Sequence, residues 1–274
     1  MEKIAILSDV HGNITALNTV LNDIEQRGIS RIFCLGDSVV KCANPDLVVD
    51  LLREKCEVIL KGNCDELISS PYIPSGKYWS RDKIGDERAA FLNSLPIYTE
   101  FYMSGYLIRL FHSSPYSLHH IYNPMYSNKE TRYANYELDN PELLFENTEF
   151  IGKTSSDPTP DIIGYGHIHT PNIVRYKNKT LFNPGSVGVP MEMASTNLND
   201  LNNKFSTVTS YIILEGNLNS HNLSSISLNI VRLPYDIYKE IEYLEHSTMP
   251  NKNLIINNLK TATYNKNEYL DKLK

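Results

Sequence analysis

At 274 residues, 41% of them apolar and 21% charged, the chain has the side chains for a full-sized core, which excludes an intrinsically disordered polymer. A net charge of -6 excludes a long nucleic-acid duplex as a resting partner, because phosphate-backbone binding relies on clustered Lys and Arg. No stretch is apolar over the length of a bilayer, so no membrane partner is expected, and Cys34, Cys42, Cys56 and Cys64 lack the spacing of a zinc ribbon or disulfide framework.

The first strand starts at once and runs into Asp9, leaving no room for a signal peptide, so a cytoplasmic chain with reduced thiols is the expectation. Gly12-Asn13 then opens a helix whose Ile14, Leu17, Leu21 and Ile24 share one face, with Gly28 as its stop. Arg31 to Leu35 is the next strand. Asn44, Pro45 and Asp46 supply an N-cap, a first-turn proline and a first-turn acid for a helix through Arg53. A third strand covers Glu57 to Leu60, a loop rich in Pro, Ser and aromatics runs from Ser69 to Ser80, and a helix spans Lys83 to Leu95.

Ile97 to Phe101 and Tyr106 to Phe111 read as a hairpin about Gly105 that delivers His112 at its far end. The least regular stretch follows, with Tyr116, His119, His120, Tyr122, Tyr126, Tyr133 and Tyr136, and then a helix around Pro141 to Phe150. Asp161 to Tyr165 is a short strand, two more flank the turn Lys177-Asn178-Lys179, and Asn183-Pro184-Gly185-Ser186 is a second turn. A hairpin across Glu215-Gly216-Asn217 occupies Thr207 to Leu233, and one or two helices finish the chain.

Five short motifs recur along this framework: Asp9-Val10-His11, Gly36-Asp37, Gly62-Asn63-Cys64-Asp65, His112, and Gly166-His167-Ile168-His169. Each follows an apolar, β-branched run, so each falls where a strand ends, the place where open α/β sheets bind ligands. Their Asp, His and Asn donors suit Mn, Fe or Zn, and they are numerous enough for two ions. A two-metal hydrolase needs ions roughly 3.5–4 Å apart with one bridging ligand. Asp37 is the natural bridge, since Gly36 lets the backbone pass close to the ions.

In that order the motifs resemble the DxH, GD, GNH[DE], H and GHxH signature of the calcineurin-like metallophosphoesterase superfamily, over roughly the first two thirds of the chain. The resemblance implies an α/β fold, a two-sheet sandwich in α-β-β-α layers. The domain would span 1-233, with a loop insertion at about 113-140, and 234-274 would form a C-terminal helical extension. It further implies two divalent transition metals, Mn2+ or Fe with Zn2+ as a further candidate. Metal one takes Asp9, His11, Asp37 and His169, metal two takes Asp37, Asn63, His112 and His167, and a metal-bridging hydroxide attacks phosphorus in line.

One position departs from the signature: Cys64 stands where the superfamily's leaving-group His is usual, and a thiol is a poor general acid. Small bacterial phosphodiesterases of the superfamily often carry the same Gly-Asn-Cys-Asp. Asp37, Asn63 and Cys64 are therefore the candidate catalytic residues, and substrates with good leaving groups are favoured. Gly12 and Asn13 could offer backbone N–H groups to phosphate at a helix N-terminus, and His119 and His120 could contact phosphate or stack on a base. Tyr72, Tyr78 and Trp79 could wall the site. Pro190 is followed by Met191, where bacterial members often place an anchoring Arg. The expected activity is hydrolysis of small, nucleotide-like phosphodiesters or phosphoanhydrides such as dinucleoside polyphosphates. The competing readings are a phosphomonoesterase, including a protein phosphatase, and an inactive interaction scaffold on the same fold.

Overall fold

The structure, a computed structural model, describes residues 1–73, 78–124, 138, 140–192 and 204–263. Tyr126, Tyr133 and Tyr136, part of the loop after Ser69, and the tail beyond 263 lie outside the described residues.

The apolar run after Met1 forms β1 (Glu2–Leu7), followed by α1 (Ile14–Gln26), β2 (Arg31–Cys34), α2 (Pro45–Lys55) and β3 (Val58–Ile59). These are βα units, and their three strands pair in parallel. Two helices come next. The first, α3 (Asn63–Ser69), is not anticipated by the pattern; the second, α4 (Trp79–Ser94), begins earlier than expected and breaks at Gly85, whose φ of 72° lies in the left-handed region. The hairpin of β4 (Tyr98–Met103) and β5 (Tyr106–Phe111) precedes β6 (Ile162–Tyr165), β7 (Asn172–Tyr176) and β8 (Lys179–Asn183). The expected helix near Pro141 is instead two 3₁₀ turns, Pro141–Phe145 and Glu149–Ile151. Asn147 and Thr148, weak helix formers, separate the two turns, and Gly152 in the left-handed region ends the second. The two-residue strands β9 (Met191–Glu192) and β10 (Lys204–Phe205) lead to β11 (Val208–Gly216) and β12 (Ser227–Pro234). Their connection is the loop 217–226, longer than a turn centred on Gly216. α5 (Ile237–His246) and α6 (Lys252–Thr261) close the described chain.

Two five-stranded mixed sheets result, ordered β12-β11-β1-β2-β3 and β4-β5-β6-β8-β7. Alternation along β1 explains the layering. Ile4 and Ile6 join Ile108, Leu110, Ile162 and Phe182 between the sheets, whereas Ala5 and Leu7 join the helices on the outer face. The far face of the second sheet buries Phe111, Ile163 and Leu181 under Leu144 and Phe145 of the first 3₁₀ turn. Ile241, Leu244, Ile255 and Leu259 of α5 and α6 belong to the same apolar cluster as α1 and α2. Among the described residues no helix is long and apolar enough to cross a membrane.

Candidate metal centre

All the motif residues meet at one place. Asp9, Asp37 and Asn63 follow the carboxyl ends of β1, β2 and β3 in the first sheet, while His112, His167 and His169 follow β5 and β6 in the second. Five of the expected ligands, Asp9, His11, Asp37, His167 and His169, have φ between 51° and 69°. Non-glycine residues seldom adopt that region, Asp and His more often than most, and they persist there where the surroundings over-determine the chain. The crowding is severe at Gly62, where a Cβ would lie 2.2 Å from Asp37 Oδ1, and at Gly36, where it would lie 2.5 Å from Gly62 N. Glycine at both positions lets the ends of β2 and β3 close around the Asp37 carboxylate.

The ligand atoms fall into three overlapping groups that could each hold a metal ion, one of them His11, Asp37 and Cys64. Asp9, His11 and His169 offer one cluster and Asp37, His112 and His167 another, each with its donor atoms within 4.8 Å of one another. Asp37 faces both. Its Oδ2 lies 3.6 Å from His11 Nε2, and its Oδ1 lies 3.5 Å from His112 Nε2. Asn63 Oδ1 stands 3.0 Å from His112 Nε2, in the second group.

The donor set also passes a chemical test for cations. His11 Nδ1 lies 3.1 Å from Val39 O, His112 Nδ1 2.9 Å from Leu35 O and His169 Nδ1 2.7 Å from Val189 O. A carbonyl can only accept, so each Nδ1 carries its proton, and in the neutral ring Nε2 is left with a lone pair aimed inwards. Two such lone pairs, on His11 and His169, then sit 3.1 Å apart, an arrangement that needs a cation or a donor, and the Lys41 ammonium stands 3.1 Å from the first and 3.5 Å from the second. Asp9 Oδ1 is buried without a hydrogen-bond partner, 3.3 Å from His169 Nε2. Orphaned buried acceptors of this kind are costly unless a metal or donor meets them.

The electrostatics agree. Burial opposes ionisation of Asp9, but His169, His112 and His11 outweigh it and hold the carboxyl well below its ordinary range. Burial drives His11 and His167 down, assisted by Lys41 and His112 respectively, so both are neutral imidazoles, the form that ligates. His112 moves the other way, because Asp37, Asp9 and Asp65 overcome its burial and raise it.

A supporting layer fixes the ligands. Asp65 accepts from the backbone N–H groups of Asp37, Ser38 and Gly62 at 2.8, 2.9 and 3.0 Å. Burial and the Asp37 charge push its carboxyl up to about 7, against three bonds that favour the ionised form. Asn183 donates to Gly166 O at 2.6 Å and Ser186 to Asp9 O at 2.6 Å, so the Asn-Pro-Gly-Ser turn braces both ligand loops.

The remaining candidates have other surroundings. Asn13 caps α1 by accepting from Ala16 N, and its amide donates to Gly188 O and Tyr235 Oη. The Gly12 N–H donates to Ser38 O. Both are committed within the fold, and neither offers a free donor to phosphate. His119 pairs with Glu66 of α3 at 3.1 Å, and His120 packs near Tyr116 and Ser114. Cys64 donates its backbone N–H to Asp37 Oδ1 at 2.8 Å, while burial and the Asp37 charge push its thiol well above the usual range. It is therefore a thiol and not a thiolate. One residue the motifs did not mark lies in the cluster: Lys41 Nζ is 3.1 Å from His11 Nε2.

A two-sheet sandwich with carboxylates and imidazoles converging at its strand ends, together with the family match to residues 2–204, points to the class of metal-dependent phosphoester hydrolases. The chain belongs to the calcineurin-like phosphoesterase superfamily, whose domain matches residues 2–204. It is 32% identical over 257 residues to an uncharacterized protein of Methanocaldococcus jannaschii, covering 90% of this chain and 93% of that one. Its fold is similar to that of a metallophosphoesterase from Sphaerobacter thermophilus, with a TM-score of 0.63 and 20% identity over 95% of this chain and 99% of that one. A hypothetical protein from Pyrococcus horikoshii is similar too, with a TM-score of 0.65 and 17% identity over 94% and 98%.

Proposed function

We propose that the chain is a binuclear phosphoesterase that hydrolyses small phosphodiesters or nucleotide phosphoanhydrides, dinucleoside polyphosphates among them. The observation that carries this reading is the Asp37 carboxylate, whose two oxygens face two different histidine groups. When bound, two divalent cations supply Lewis-acid polarisation of the phosphoryl group and an activated water, and Mn2+, Fe or Zn2+ suits the mixed oxygen and nitrogen donors. The chain's own part is to hold Asp37 between the groups, keep His11 and His167 unprotonated, and exclude bulk water. Asp9, His11 and His112 are fully buried, which strengthens every charge interaction there.

Cys64 decides the leaving group. A thiol held protonated by burial is a weak donor, so the departing oxygen must leave without strong proton assistance. Phosphoanhydrides, whose leaving group is a phosphate and not an alkoxide, and aryl diesters satisfy that condition better than alkyl monoesters.

The test compares wild type, Cys64→Ser and Cys64→His, saturated with Mn2+, on an activated aryl diester, an unactivated alkyl diester, a dinucleoside polyphosphate and an aryl monoester. Wild type should turn over the diester and the anhydride faster than the monoester. Cys64→Ser should stay within a few fold of wild type on the activated diester. Cys64→His should improve the alkyl diester selectively, by up to roughly 10²–10⁴-fold, the usual contribution of a general acid. A monoester preference in wild type, or a large loss in Cys64→Ser on the activated diester, contradicts the reading.

A further inference from the structure

Lys41 is a cation placed among metal ligands. Its Nζ lies 3.1 Å from His11 Nε2 and 3.5 Å from His169 Nε2, on the lone pairs that the first ion would use. It is held there at a backbone cost. Val40 and Lys41 both have φ of 73°, and Val40 is β-branched, the residue class that tolerates this region least. Consecutive left-handed residues turn the loop after Asp37 back onto the site, and Cys42 N donates to His11 O at 2.9 Å to fix the return.

An imidazole lone pair can serve an ammonium or a metal ion, not both, and two cations at that separation in a buried site repel strongly. With the ligands committed to cations, the flexible Lys41 stem must carry its charge to another acceptor near by. Two cavities meet at that point. The smaller, 140 Å³, is lined by His167, His169, Met191 and Asn258. The larger, 240 Å³, is walled by Leu67, Tyr78, Trp79, Met249 and Leu254. Lys41 and Ile255 border both cavities.

We propose that Lys41 is the phosphate-anchoring residue of this enzyme, and that the apolar cavity beside it holds the organic group esterified to that phosphate. The proposal rests on the phosphoesterase reading above and deepens it: the preferred substrate carries an aromatic or branched apolar group next to the scissile phosphate. Lys41 supplies the positive charge that Met191 does not, with its ammonium donating to the non-bridging oxygens. α6 contributes Leu254 and Ile255 to the larger cavity and Ile255 and Asn258 to the smaller, so the helix after the matched domain shapes substrate choice.

Three variants separate the parts. Lys41→Met removes the charge, Lys41→Arg retains it, and Leu67→Glu places a carboxylate in the apolar cavity at a residue 44% exposed, where folding tolerates it. Calorimetry on chelator-treated protein reads Mn2+ binding, and calorimetry on Mn2+-loaded protein reads inorganic phosphate binding; neither depends on turnover. Lys41→Met should bind Mn2+ at least as tightly as wild type and phosphate roughly ten- to a hundredfold more weakly, as expected for a lost charge-assisted bond, with Lys41→Arg recovering part of it. Leu67→Glu should leave phosphate affinity within about twofold but raise KM for an aryl diester about tenfold. Unchanged phosphate affinity in Lys41→Met, or weakened Mn2+ binding, overturns the anchor; an unchanged KM in Leu67→Glu overturns the cavity assignment. Lys41-dependent phosphate binding without hydrolysis of any phosphoester would support the anchor and refute the activity.

Discussion

At Asp37 one side chain touches nearly everything the site needs. Its oxygens face His11 and His112, and its Oδ1 also accepts from Cys64 N, so its loss should disturb both ion positions at once. Asp37→Ala is expected to lower turnover on the order of a thousandfold, several kcal/mol of transition-state stabilisation. Asn63 belongs to one group through its 3.0 Å approach to His112, and Asn63→Ala should be partly rescued by high Mn2+. Steady-state rates across a Mn2+ titration check both; equal, unrescuable losses would contradict the division. The motif residues were legible because donor types at strand ends are written locally. Lys41 was not, since nothing in Ser38-Val39-Val40-Lys41 announces two left-handed residues that aim an ammonium at His11. Asp65 was visible in its motif, but its work needs the contact between the ends of β2 and β3, which no local spacing reveals.

Between elements, a buried carboxyl offers a measurement that leaves the metals alone. Glu240 of α5 packs against α1, where one oxygen accepts from Thr15 Oγ1 at 2.8 Å, and burial pushes its pKa up to about 7. The ordinary value for the unfolded chain is 4.5, so between those values the folded state binds the extra proton. Stability from this group is present below the unfolded value and is lost as pH rises towards 7, by up to about 3 kcal/mol. Glu240→Gln should therefore raise the thermal midpoint at pH 8 and have little effect at pH 4. A uniform shift at both pH values would contradict the burial argument. Elements with a sustained period, such as α1 and the β4–β5 hairpin, were readable from sequence. α3 was not: seven residues give no period, and its start is set by Asp65 accepting from Gly62 N.

Across the whole molecule the two sheets meet in the apolar layer of Ile4, Ile6, Ile108 and Leu110 and again in the ligand cluster at their carboxyl ends. The first sheet brings three carboxyl or amide candidates and His11, and the second brings three imidazoles. The two-sheet architecture followed from the order of the motifs and their resemblance. The covering of the second sheet by 3₁₀ turns and the packing of α5 and α6 did not, because both depend on contacts distant in sequence. We propose that this junction holds two ions sharing Asp37. Its most direct test is titration of chelator-stripped protein with Mn2+ by calorimetry, with metal content verified by elemental analysis. Two ions sharing Asp37 require saturation at two equivalents in wild type and a severe loss at both positions in Asp37→Ala; saturation of wild type at one equivalent would contradict the shared site.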